Sequence, residues 1–154
     1  MWSAESVFVC ALALLGRSQA QFPPVQFVER APAYVSRLAQ AYIEDGRNHI
    51  VLITSTSAFK AARTSSTLCS DVDSIREIAG VLAHEEWHVH HGADEDGAYE
   101  AQLTALAFVG VDQDSPLYHK VKKAKLAVAE ASKRTSRTGV LASVAPGPSR
   151  SHPP

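Results

Sequence analysis

The sequence predicts an α+β fold that is mostly helical. Three stretches, 74–91, 94–109 and 116–132, carry apolar residues at helical spacing, and one short block from His49 to Thr56 has Ile50-Val51-Leu52-Ile53 at its centre. The 154 residues suit a single small domain, and 45% of them are hydrophobic. A formal net charge of −1 gives no overall electrostatic footprint for nucleic acid, which is not expected as a partner.

At the start of the chain, Val7 to Leu15 form an apolar run of export-signal length, and Ser18-Gln19-Ala20 resembles a small-x-small cleavage site before Gln21. Residues 1–20 are therefore expected to be a signal peptide of a secreted or periplasmic protein, with the domain at 21–133. The run is too short for a stable membrane span. Loss of Cys10 with the leader would leave Cys69 without a partner, as a buried or incidental thiol. Pro23, Pro24 and Pro32 mark an extended entry, after which Val35, Leu38, Tyr42 and Ile43 suggest a helix ending near Gly46. Residues 49–56 read as a strand, and the Ser/Thr-rich stretch from Arg63 to Ser70 reads as a loop.

Residues 84 to 88, His-Glu-Glu-Trp-His, carry the chemistry. Helix positions four apart lie one turn above each other, so His84 and His88 can close on one metal ion with Glu85 beside it. Two neutral imidazoles supply half of a tetrahedral zinc shell, and the neighbouring carboxylate is placed to take a proton from water. Ser74 and Glu77 match a capping box, Asp71 and Asp73 put negative charge near the helix start, and Gly92 stands at the C-terminal cap position. On this helix Ile75, Ile78, Ala79, Leu82 and Val89 form the core stripe, and His84, His88 and His91 face away from it.

A third ligand is expected from the next helix. Asp94 caps it, and Ala98, Gln102, Ala105, Leu106 and Val109 recur on its inward stripe, on which Glu95 and Tyr99 also fall. Glu100 points about 140° away and reads as solvated. A carboxylate on an apolar face needs a partner, and zinc would be one. His91 competes for the role, but three ligands along one straight helix diverge too far to close a tetrahedron, which favours Glu95.

The stretch from Ile78 to Leu106, IAGVLAHEEWHVHHGADEDGAYEAQLTAL, resembles the HExxH zinc metallopeptidases of the gluzincin type, in particular small ones in which a Glu-x-x-Ala-Tyr helix follows the motif helix. The resemblance implies that His84, His88 and Glu95 bind zinc, that Glu85 is the general base, and that a peptide or protein is the substrate. It also implies that the 49–56 strand edges the cleft and pairs with extended substrate, although the same residues read at least equally well as a strand simply paired in a small sheet. Larger gluzincins place more chain before the third ligand and carry Glu-x-x-x-Asp, where this chain has Tyr99. Tyr99, one turn beyond Glu95, is a candidate donor to the developing oxyanion and equally a core aromatic. The metzincin pattern does not fit, because Gly92 comes one position late and no histidine follows.

Pro116 opens a last helix expected to end near Ser132. Its Lys120, Lys122, Lys123 and Lys125 read as a solvated face before they read as an interaction patch. Residues 134–154 are rich in Ser, Pro, Gly and Arg and are expected to form a disordered tail. The sequence thus points to a zinc-dependent hydrolase, with a non-catalytic structural zinc domain or a secreted binding protein as rival readings. Nothing in it sets an oligomeric state.

Overall fold

The computed structural model describes residues 1–44 and 48–142, with side chains as far as residue 138. The described elements run α1 (Ala4–Leu14), β1 (Val25–Val28), β2 (Ala41–Ile43), β3 (Ile50–Ile53), α2 (Ser57–Thr64), α3 (Val72–His91), α4 (Glu95–Phe108) and α5 (Pro116–Ala142). The class is the expected one, α+β and mostly helical.

The three strands form one sheet in the order β1-β3-β2, with β1 parallel and β2 antiparallel to β3. All four residues of β3 are buried, as a continuous apolar run requires when both faces are covered. The expected strand at 49–56 is thus central and paired on both sides. The strand that edges the cleft is β2, which falls where a helix from Val35 was expected. Among residues 35–44 the chain makes turns and then this three-residue strand, with Tyr42 opposite Val51. Gly46, the expected end of that helix, lies outside the described residues.

Residues 1–20, expected to leave as a leader, supply α1 in this fold. Val7, Phe8, Ala11 and Leu12 are buried against Ile50 and Leu52 of β3, Phe59 of α2, and Ile75, Ile78 and Leu82 of α3. Ser3 caps the helix by accepting from the Ser6 amide. Cys10 is joined to Cys69 across 59 positions of sequence, so the thiol expected to stand alone is bonded. Trp2 adds a clasp at the other end: its indole donates to the Ser65 carbonyl at 3.0 Å, and Arg63 donates to the Trp2 carbonyl at 2.9 Å. Arg17, just beyond α1, forms a two-pronged ion pair with Glu86 of α3 at 2.7 and 3.2 Å.

α3 begins two residues before Ser74. Asp71 is the cap, accepting from the Ser74 amide and hydroxyl, while Glu77 turns away to accept from Gln40 at 3.0 Å. α3 and α4 then pack closely: a Cβ on Gly80 would stand 2.7 Å from Leu106 Cδ2, so the glycine lets the helices approach. α5 continues to Ala142, well past the expected end near Ser132. Its Thr135, Ser136 and Thr138 hydroxyls bond back to carbonyls four residues earlier, which gives these polar side chains partners within the helix. The part of the expected tail at 143–154 lies outside the described residues.

The Cys10–Cys69 bond closes a loop long enough to restrict the unfolded chain substantially. A Cys10→Ser/Cys69→Ser double variant is expected to lose about 2–4 kcal/mol of stability. The check is a fall in the urea midpoint relative to the oxidised parent, and an unchanged midpoint would contradict it.

Candidate metal centre

Gly92 ends α3 with φ +77, a left-handed value that favours glycine, and only Ala93 and Asp94 follow before α4 starts. Asp94 caps α4 by accepting from the Gly97 amide at 3.1 Å. This short turn folds α4 back along α3 and sets Glu95, its first residue, over the two histidines. Glu95 Oε2 lies 3.3 Å from His84 Nε2, and Oε1 lies 3.3 Å from His88 Nε2. The two Nε2 atoms are 3.2 Å apart.

The far side of each ring fixes its tautomer. His84 Nδ1–H donates to Gln102 Oε1 at 3.1 Å, and His88 Nδ1–H donates to the Gly92 carbonyl at 2.7 Å. A neutral imidazole that donates through Nδ1 presents a lone pair at Nε2. Both lone pairs therefore meet the Glu95 oxygens at one point. Burial lowers the His84 pKa below its usual value against the pull of the Glu95 charge, which keeps the ring neutral near pH 7. Acceptors brought together in this way repel unless a cation or proton lies among them.

The donor set passes a simple test of fit. Zinc–nitrogen bonds of about 2.0–2.1 Å at tetrahedral angles put ligand atoms about 3.3 Å apart, the spacing found here. Among the described residues, His84, His88 and Glu95 form the group whose donor atoms all lie within 4.8 Å of one another. Both histidine side chains are 12% exposed and Glu95 is 50% exposed, so the donors are held from below and open above.

His91 takes no part. Its ring stacks on Trp87 at 3.7 Å and its Nδ1 meets the Trp87 carbonyl at 3.1 Å. Glu100 is exposed and lies 3.6 Å from Lys125, in keeping with a solvated role. Tyr99 sets its ring edge-on to His84, with centroids 4.6 Å apart, and packs on the Leu103, Leu106 and Val121 cluster. Burial, with the charges of Glu95 and Glu85, raises its phenol pKa, so it stays protonated at neutral pH.

Glu85 is 8% exposed and lines the same cleft as the donors. Burial is the main cause that lifts its pKa to about 7; the Glu95 charge adds to this and His88 opposes it. The cleft, of about 570 Å³, is walled by Ala41 to Glu44 of β2 and its continuation, Asn48, the three donors, Glu85, Gly92 and Ala93. Two parts of this site escaped the sequence reading. Gln102 was visible as a polar residue on an apolar stripe, the same signal that singled out Glu95, but its service to His84 was not. The β2 wall gave no signal, because its apolar residues were spaced like a helix.

Compared with models of protein families, with characterised proteins and with solved structures, the chain matches none.

Gln102 holds His84 in its tautomer and orientation, so Gln102→Leu is expected to weaken metal binding at this site, measured with zinc, by about 10–100-fold, the usual scale for such supporting contacts. Competition against a chromophoric chelator measures it, and unchanged affinity would remove Gln102 from the site. Glu95→Ala is expected to lower bound metal and thermal midpoint together, since metal held by the folded site is also folding free energy. Atomic absorption on the purified variant, alongside its melting curve, checks this.

Proposed function

We propose that the protein is a zinc-dependent hydrolase acting on peptides, with His84, His88 and Glu95 holding the metal. The observation that carries the reading is the convergence of these three donors beside a buried carboxylate, Glu85, that is not needed to hold a metal. Zinc bound there would act as a Lewis acid that makes water nucleophilic near neutral pH.

The roles of the chain's own residues follow from their positions. Glu85, with a pKa near 7, is poised to accept a proton and to give it back. Its carboxylate takes the proton of the water that attacks the scissile carbonyl and passes it to the departing amine nitrogen as the C–N bond breaks. Gln102 and the Gly92 carbonyl keep both Nε2 atoms turned to the metal, and Tyr99 walls the His84 ring. β2 supports a peptide as substrate: among the described residues its ladder partner is β3 alone, and an open strand edge pairs with extended backbone. The resemblance of the motif to gluzincins supports the same assignment.

A purely structural zinc domain would close the fourth position with another protein donor. Among the described residues the group has three donors, and it opens on a cleft. An oxidising compartment, secreted or periplasmic, is favoured by the Cys10–Cys69 bond. No helix among the described residues is long and apolar enough to cross a membrane.

Glu85→Gln keeps the shape of the side chain and removes the base. It is expected to retain zinc and fold while cleavage of a diverse peptide library, followed by mass spectrometry, falls at least about a hundredfold. Equal chelator-sensitive cleavage by parent and variant would overturn the assigned role.

A further inference from the structure

The charge of the chain is divided between two bodies. α5 carries seven of the 15 lysines and arginines and one of the 16 carboxylates, a net +6, so the remainder of the chain nets −7. The near-neutral total hides this separation. At about 100° per residue, Lys120, Lys122, Lys123, Lys133, Arg134 and Arg137 fall within an arc of about 160°, and all six are exposed. The arc is opposite the face on which Leu117 and Val121 pack toward α4. Lys125, outside the arc, is instead held by Asp96 at 3.1 Å and Glu100 at 3.6 Å. Glu130 lies inside the arc, 3.8 Å from Lys133, and offsets one charge. At about 1.5 Å per residue, the stripe runs about 26 Å.

We propose that this face of α5 docks the protein onto an anionic phospholipid surface. The reading is independent of the zinc site. A plane of negative headgroups faces the centre of this arc, and the long side chains at its edges can turn toward the same plane. Four of the six are lysines, compact point charges suited to diffuse attraction, where a phosphate-reading surface favours the arginine fork. No phenylalanine, tyrosine or tryptophan stands among them to stack on bases, and His119 is the one ring on this face. Leu126, 60% exposed within the arc, adds one apolar contact at the centre of the stripe. The net negative remainder of the chain is repelled by the same surface, so attraction selects α5 as the contact face.

The test is co-sedimentation of the full chain with vesicles of phosphatidylcholine and phosphatidylserine in equal parts, against vesicles of phosphatidylcholine alone. Binding is expected to the mixed vesicles only, and to be lost between about 0.1 M and about 1 M salt, where the screening length contracts from about 10 Å to about 3 Å. Lys122→Gln/Lys123→Gln, with helicity checked by circular dichroism, is expected to weaken partitioning about thirtyfold, from about 1 kcal/mol per basic residue near the surface. Lys60→Gln, at an exposed cation of α2, is expected to leave it unchanged. No binding, equal binding to neutral vesicles, an unaffected double variant, or tighter salt-sensitive binding to a duplex oligonucleotide than to the mixed vesicles would each overturn the proposal.

Discussion

The turn from Gly92 to Asp94 is the constraint on which the site depends. It must stop α3 directly after its last histidines, reverse the chain within three residues, and start α4 with a carboxylate aimed back at the helix just left. Gly92 supplies the left-handed backbone, and its carbonyl accepts from His88, so the residue that ends the helix also orients a donor. Asp94 supplies the cap. Glu95 then lies at a helix N-terminus, where the dipole favours its charge. Lengthening the turn would carry Glu95 away from the pair of imidazoles that its present position spans.

That turn works only if α3 and α4 stay close along their length. Gly80 permits the approach at Leu106, and Gly97 does so at the near end, where an added Cβ would stand 2.6 Å from the Trp87 ring. Trp87 and His91 form their own stack on the outside of α3. The same face meets Arg17 through Glu86, which ties the segment after α1 to the helix that bears the ligands. Packing at the back of α3 thus supports the donor geometry at its front, since His84 and His88 keep their spacing only while the helix is held straight between α1, the sheet and α4.

How much of this was legible depended on whether a pattern had one physical cause or two. α3 and α4 were legible because amphipathic periodicity, caps and a terminal glycine agreed, and Glu95 stood out as a charge on an apolar stripe. Ser74 and Glu77 have the spacing of a capping box, yet Asp71 caps the helix from further upstream by accepting from the Ser74 amide. The apolar run at Val7 to Leu15 fits an export leader and a helix packed on the core equally well, because apolar residues such as Val9 continue around its exposed side and erase the amphipathic contrast. β2 is three residues long, too short for alternation to register, and the preceding apolar residues happened to keep helical spacing. The Cys10–Cys69 bond joins positions that only the folded chain brings together.

The choice of Gln102 over a carboxylate behind His84 follows from the crowding of charge around Glu85. Glu85 and Glu95 already share one cleft, and the Glu95 charge already helps raise the Glu85 pKa. A third carboxylate at position 102 would strengthen the hydrogen bond to His84 Nδ1, but it would also add like charge behind the His84 ring and push Glu85 toward its protonated form. An amide oxygen fixes the same tautomer without that cost. The Gly92 carbonyl does the same for His88, so both imidazoles are oriented by neutral acceptors. The carboxylates of the centre are thereby Glu95, which faces the two imidazoles, and Glu85, buried beside them.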